Sequence, residues 1–156
     1  MTTNQKGAIA ESAIVHAALK LGIGVYKPVH EGLRCDLIFE VGDKLLRVQC
    51  KWAVRRGAII VVRCYSCRRA RGGMIRRSYT DSEIDGFAAY CAELGACYFI
   101  PIKRFPRRSE LWLRLAPARN NQRARTNWAD DFTFDATLGR ARGAVAQLGE
   151  RLAGSQ

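Results

Sequence analysis

Four polar residues near the start of the chain have types and an order that suit chemistry: Glu11, Asp36, Gln49 and Lys51. Asp36 stands among Cys35, Leu37, Ile38 and Phe39, where an unpaired carboxylate is expensive to desolvate and needs a compensating group. Glu11 lies on a helix surface otherwise made of alanine and aliphatic residues, beside Val15 and Ala18. Gln49 and Lys51 are two residues apart and point the same way in an extended segment. The two carboxylates and the Gln49 carbonyl offer hard oxygen ligands suited to Mg²⁺ at roughly 2.1 Å. Lys51 would then lower the cost of forming hydroxide and stabilise charge on a scissile phosphate. Phosphodiester hydrolysis is the reaction these parts suit.

The elements that must position them follow from periodicity. From Gln5 to Leu21, Ala10, Ala13, Ile14, Ala17, Ala18 and Leu21 recur at helical spacing, Asn4 or Thr3 is available as a cap, and Gly22 ends the run. Strand-type segments follow at Val25 to Lys27, Cys35 to Phe39, Leu45 to Trp52 and Ile59 to Cys64, with Gly42-Asp43 as a tight turn between the second and third. In the third, Leu46, Val48, Cys50 and Trp52 form an apolar side and Arg47, Gln49 and Lys51 a polar one. Residues 81 to 94 read as a second helix, with acids in its first turn and Gly95 closing it. Cys97 to Ile102 and Leu111 to Leu115 complete the strands. The order predicts an α/β or α+β fold, a central mixed β-sheet flanked by helices. Trp128 to Phe134 is expected to pack back on the core, and Gly143 to Gln156 to form a weak helix or frayed tail.

Charge is the feature that departs from the average: 26 Lys plus Arg against 14 Asp plus Glu give the 156-residue chain a formal charge of +12, which favours a polyanion as partner. A membrane surface fits less well, because the basic residues do not share one amphipathic helix, and no apolar run is long enough to span a bilayer. Met1 to Ser12 lack the pattern of a secretory signal, so a cytoplasmic, nucleoid-associated location is expected. The six cysteines then read as reduced, buried hydrophobes; Cys64-Tyr-Ser-Cys67 has no matching second pair for zinc.

In sequence order, Glu11 in the first helix, Arg34-Cys-Asp36-Leu-Ile-Phe, and Val48-Gln49-Cys-Lys51 after the tight turn resemble the catalytic core of the PD-(D/E)xK nucleases. Within that superfamily the pattern is similar to intron-encoded homing endonucleases and archaeal-type Holliday junction resolvases. The resemblance continues through Tyr79 to Ile102 and through Asn120-Asn-Gln122 to Trp128-Ala129. It implies a restriction-endonuclease-like fold, with a nuclease domain over residues 1–135 and a tail over 136–156. It also implies Glu11, Asp36 and Gln49 as metal ligands, Lys51 as the catalytic lysine, and Mg²⁺ as cofactor with Mn²⁺ as a substitute. Cys35 replaces a proline that does no chemistry. Gln49 replaces the second acid, which removes one negative charge, lowers metal affinity and favours one-metal chemistry; some relatives carry the same variant.

Between Lys44 and Thr80 there is no acid, while Arg55, Arg56, Arg68, Arg69, Arg71, Arg76 and Arg77 all fall there, a basic field beside the catalytic strand. The stretch Arg68 to Gly73 reads as a flexible loop able to follow a groove. A second basic cluster, including Lys103, Arg104, Arg114 and Arg123, brackets Asn120, Asn121 and Gln122, whose amides suit adenine edges. Double-stranded DNA is the expected partner. One site cuts one strand, so a homodimer or homotetramer is expected. The tail Ala144 to Gln156 is similar to peptides made when a reading frame runs into a tRNA gene, which favours the homing type. The alternatives are a Holliday junction resolvase and a non-catalytic DNA- or RNA-binding protein with a degenerate nuclease site.

Overall fold

A computed structural model describes residues 1–120 and 126–139. Its helix α1 (Thr3–Lys20) buries Ala10, Ile14 and Ala18, a stripe of small and branched side chains that lets the helix lie close on the sheet. Thr2 caps it, one residue before the expected caps, in a reciprocal pairing with Gln5. At the other end Gly22, at φ +70°, lets the Ile23 N–H reach the Ala18 carbonyl at 3.0 Å and closes the helix as expected.

The strands are β1 (Gly24–Tyr26), β2 (Leu37–Val41), β3 (Lys44–Arg56), β4 (Ile59–Arg63), β5 (Tyr65–Ala70), β6 (Gly73–Ser78), β7 (Gly86–Cys91), β8 (Ala96–Pro101) and β9 (Glu110–Arg114). Two-residue turning at Gly42-Asp43 pairs Val41 with Lys44 and fixes the β2–β3 register, so that Leu37 faces Val48. Long β3 is the spine of a seven-stranded mixed sheet. One of its edges pairs in parallel with β7 from Val48 to Ala53, and β7 continues to β8. Its other edge forks: Lys44 to Val48 pair with β2, and Val54 to Arg56 pair with β4, which leads to β9. Between Val48 and Val54 that edge has no strand partner, and the gap is where the chemistry-bearing residues gather.

The sheet has a core on each face. One cluster joins α1 to Phe39, Val48, Ala88, Phe99 and Phe134; the other joins Ala53, Ile60, Val62, Phe87, Ala89, Ile100, Leu113 and Phe132. Phe132 comes from the short 3-10 helix Ala129–Phe132, so the Trp128 to Phe134 segment does pack on the core. Residues 140–156, with most of the expected tail, lie outside the described residues.

Two expectations fail. Residues 81 to 94 are not a helix: after a turn they form β7, and Gly95 sits in the β7–β8 turn at φ +58°. Because β7 is buried on both faces, with Ala88 in one cluster and Ala89 in the other, it carries no period-2 alternation, and its alanines imitate a helix. Gly86 is fixed by close approach, since a Cβ there would sit 2.5 Å from the Phe99 ring and 2.9 Å from the Ile100 carbonyl. The Arg68 to Gly73 loop is likewise absent: β5 and β6 form a separate two-stranded hairpin, with Ala70 paired to Gly73. Its exposed positions carry arginines where a core strand would carry apolar residues, which hid the pairing.

Candidate active site

The fork in the sheet supplies the geometry. Asp36 lies at the entrance to β2, and its own N–H donates to the Val48 carbonyl at 2.8 Å. Beyond that point β2 has left β3, and the Asp36 carboxylate takes the place of a strand partner: Oδ2 accepts from the Cys50 backbone N–H at 2.9 Å and from Gln49 Nε2 at 2.7 Å. A backbone donor that the gap would leave unpaired is thereby satisfied. Burial raises the Asp36 pKa above the ordinary aspartate value; the Cys50 N–H opposes the rise, nearby Glu11 adds to it, and Lys51 and Lys27 work against it.

Lys51 leaves β3 on the same side as Gln49. Its Nζ donates to the Tyr65 carbonyl at 2.8 Å and lies 4.8 Å from the centre of the Tyr79 ring. Burial lowers its pKa, with Asp36 opposing and Arg34 adding to the fall. Three N–H donors are available on an ammonium, and the Tyr65 carbonyl occupies one of them. Glu11 enters from α1 and pairs with Lys27; together with Asp36 these two line a cleft of about 420 Å³. The sequence-predicted quartet is therefore brought to one place, with Asp36, Gln49 and Lys51 in the fork and Glu11 across the cleft.

Hard oxygen donors suit a Mg²⁺-type ion here: two carboxylates, and the Gln49 Oε1 left over once Nε2 is given to Asp36. A cation among them would offset the burial and like charge that raise Asp36. Among the described residues no three His, Cys, Asp or Glu side chains cluster as a metal site; the third oxygen is an amide. All six cysteines are free thiols, but only Cys64 and Cys91 are buried: Cys35, Cys50 and Cys97 are half-buried, and Cys67, the other half of the CxxC, is exposed on the hairpin, against the expectation of six buried hydrophobes; burial pushes the Cys64 thiol up to about 12.

Sequence reasoning missed what holds the lysine. Arg34 stacks on Tyr79 at 3.9 Å and donates to Ser66 Oγ at 2.9 Å and to the Ser78 carbonyl at 2.8 Å, so it ties both legs of the hairpin to the site. Its Nε lies 3.3 Å from Glu83 Oε2, at an angle that makes no hydrogen bond. The signal was there in part: Arg34 sits two residues before Asp36, and Tyr79 ends the acid-free stretch.

Of the residues expected on DNA, Arg55 and Arg56 flank the exposed β3–β4 turn, and Arg68, Arg69, Arg71, Arg76 and Arg77 decorate the hairpin. Three are engaged within the protein: Arg55 donates to the Gly57 carbonyl at 3.0 Å, Arg76 stacks on Tyr65 at 4.8 Å, and Arg77 pairs with Glu83. Asn120 is exposed after β9; Asn121, Gln122 and Arg123 lie outside the described residues. Among the described residues no helix is long and apolar enough to cross a membrane.

A family model described as PD-(D/E)XK endonuclease matches residues 1–135. Among solved structures, that of a bacterial homing endonuclease, I-Ssp6803I, is 31% identical, with 94% of this chain and 99% of that one covered, at a TM-score of 0.71. No curated protein sequence matches.

Proposed function

The chain belongs to the PD-(D/E)XK endonucleases, and from that premise we propose that it is a Mg²⁺-dependent, site-specific endonuclease of the homing type, cutting double-stranded DNA. The observation that carries the reading is the convergence of Asp36, Gln49 and Lys51 in the gap of β3, with Gln49 and the Cys50 N–H both on Asp36 Oδ2. The likeness to a homing endonuclease over nearly the whole chain supports the finer assignment.

In this reading Glu11, Asp36 and Gln49 hold the ion, for which Mn²⁺ substitutes, and the ion, when bound, polarises the scissile phosphate and acidifies the attacking water. Asp36 is oriented by the β3 backbone, so its free oxygen is preorganised. Lys51 is held in a poorly solvated position by the Tyr65 carbonyl and the Tyr79 ring, and its remaining donors face charge that develops on the phosphate. The arginines of the β5–β6 hairpin and of the β3–β4 turn supply phosphate contacts on either side. Residues 1–135 carry this activity. Two strands need two sites, so the active form is a homodimer or homotetramer.

The test is cleavage of an uninterrupted tRNA-gene duplex, a random-sequence plasmid and a synthetic four-way junction, with Mg²⁺ or with EDTA, by wild type, Lys51→Ala and Asp36→Asn. Discrete cutting of a duplex only by wild type and only with the metal is expected, with Lys51→Ala slower by about 10² or more. Junction-only cutting would replace the homing reading by a resolvase. Binding of every substrate with no cutting, unchanged by Asp36→Asn, would mean a retired active site.

A further inference from the structure

The cleft that holds Glu11 and Asp36 has a neighbour of opposite sign. On the β4 side of the gap a second cleft, of about 430 Å³, is lined by Lys6 and Gly7 of α1, Lys51, Trp52 and Arg56 of β3, and Arg63 of β4, and no acid lines it among the described residues. The two clefts adjoin at the bond between the Cys50 N–H and Asp36, with Cys50 lining the basic cleft and Asp36 the acidic one. Lys6 Nζ lies 5.8 Å from the centre of the Trp52 ring. Among the described residues Lys6 and Arg56 make no ion pair, and Arg63 has only a loose one, 3.9 Å from Glu110 on β9. Lys6, Arg56 and Arg63, three like charges around one hollow, repel each other unless an anion enters.

Gly7 is an independent sign. It lies inside α1, where glycine is among the poorest helix formers, and a Cβ there would meet nothing within 4 Å. Packing therefore does not require it. What the missing side chain leaves is room at the mouth of the basic cleft, as expected where a ligand approaches a backbone closely.

We propose that this cleft is a second phosphate site, which takes the phosphodiester next to the scissile one on the cleaved strand, with Lys6, Arg56 and Arg63 as its ligands. The assignment rests on the nuclease reading. Five residues of α1 separate Lys6 from Glu11, a rise of about 7.5 Å, so the two clefts are neighbours along the helix. The strand would thus run past the N-terminal turns of α1, one phosphate at the carboxylates and its neighbour among the cations. Arg63 belongs to the acid-free basic stretch between Lys44 and Thr80, whereas Lys6 does not stand out in the sequence, because it lies in a helix away from any run of basic residues.

The experiment measures binding of a fluorescently labelled linear duplex in Ca²⁺, at several salt concentrations, by wild type, Lys6→Gln, Gly7→Leu and Lys20→Gln. Lys20 ends α1 about 21 Å from Lys6 along the axis and controls for a lost charge. Lys6→Gln should bind more weakly and flatten the salt dependence by about one unit of slope, while Lys20→Gln matches wild type. Gly7→Leu should unfold at or above the wild-type temperature yet bind roughly tenfold more weakly, a combination that misfolding cannot produce. An unchanged slope in Lys6→Gln, or wild-type binding by Gly7→Leu, overturns the second site. Because cleavage by wild type is scored separately, the loss of this proposal leaves the endonuclease reading standing, and a wild type that cuts nothing fails that reading instead.

Discussion

Gln49→Glu restores the acid that this site lacks, and the fork geometry sets what that should cost. Gln49 Nε2 donates to Asp36 Oδ2 at 2.7 Å, so a glutamate there would place carboxylate against carboxylate. Even if the side chains relax to about 4 Å, two unit charges at an effective dielectric of about 20 repel by about 4 kcal/mol. The pair escapes part of this by sharing a proton, which brings the expected loss to about 2 kcal/mol at neutral pH in a chelator. At roughly 2–4 °C per kcal/mol for a chain of this size, scanning calorimetry should show the midpoint fall by about 4–8 °C. Sharing a proton raises the folded-state pKa above the unfolded one. The stability tied to the protonated form is therefore complete below the unfolded carboxylate pKa and is lost as pH rises through the folded value, so the penalty deepens from acid towards neutral pH. Added Mg²⁺ or Mn²⁺ meets one more negative charge than in wild type; at 100 times its dissociation constant it returns about 2.7 kcal/mol. A variant that melts with wild type in the chelator, or gains no more than wild type from the metal, would refute both the contact and the ligand role of position 49.

Two further predictions concern the frame of the site. Gly86→Ala puts a methyl 2.5 Å from the Phe99 ring and 2.9 Å from a backbone carbonyl; overpacking of this kind should cost about 1–3 kcal/mol in urea denaturation, and a loss below 0.5 kcal/mol would show that β7 and β8 can separate. Asp85 receives the Arg47 N–H at 2.7 Å and its guanidinium at 3.0 Å through both oxygens, and the Arg47 side chain holds its pKa below the ordinary value. That stability is present above the unfolded aspartate pKa and lost as pH falls through the lower folded one. Asp85→Asn should therefore flatten the decline of the urea midpoint between about pH 5 and 2, and an unaltered decline would assign the acid sensitivity elsewhere.

Strand β3 was legible because it obeys simple rules. Val48 alternates with Gln49 and Lys51 along the strand, Gly42-Asp43 sets the register, and Asp36 stood out as a carboxylate among apolar residues. Helix α1 was legible from its alanine stripe and Gly22. What failed, failed for opposite reasons. β7 is buried on both faces and so shows no alternation, whereas β5 and β6 are exposed along most of their length and show only charge. The gap in the β3 edge depends on which strands pair with which half of β3, a long-range property that local patterns do not encode. For the same reason the sequence named Lys51 but not Arg34 and Tyr79, which come from outside its strand to hold it.

The double membership of β3 and β7 bears on how the molecule breathes. Val48 and Ala53, like Ala88 and Ala89, send side chains into opposite cores, so neither strand can leave one core without leaving both. The central amides of these strands should exchange their hydrogens only through global opening, whereas those of the β5–β6 hairpin, attached chiefly through Arg34, Tyr79 and the Lys51 bond to Tyr65, should exchange through cheap local excursions. Lys51 thus stands on the slowest part of the protein and reaches to the fastest. Its backbone keeps time with the fold, and its ammonium with the hairpin.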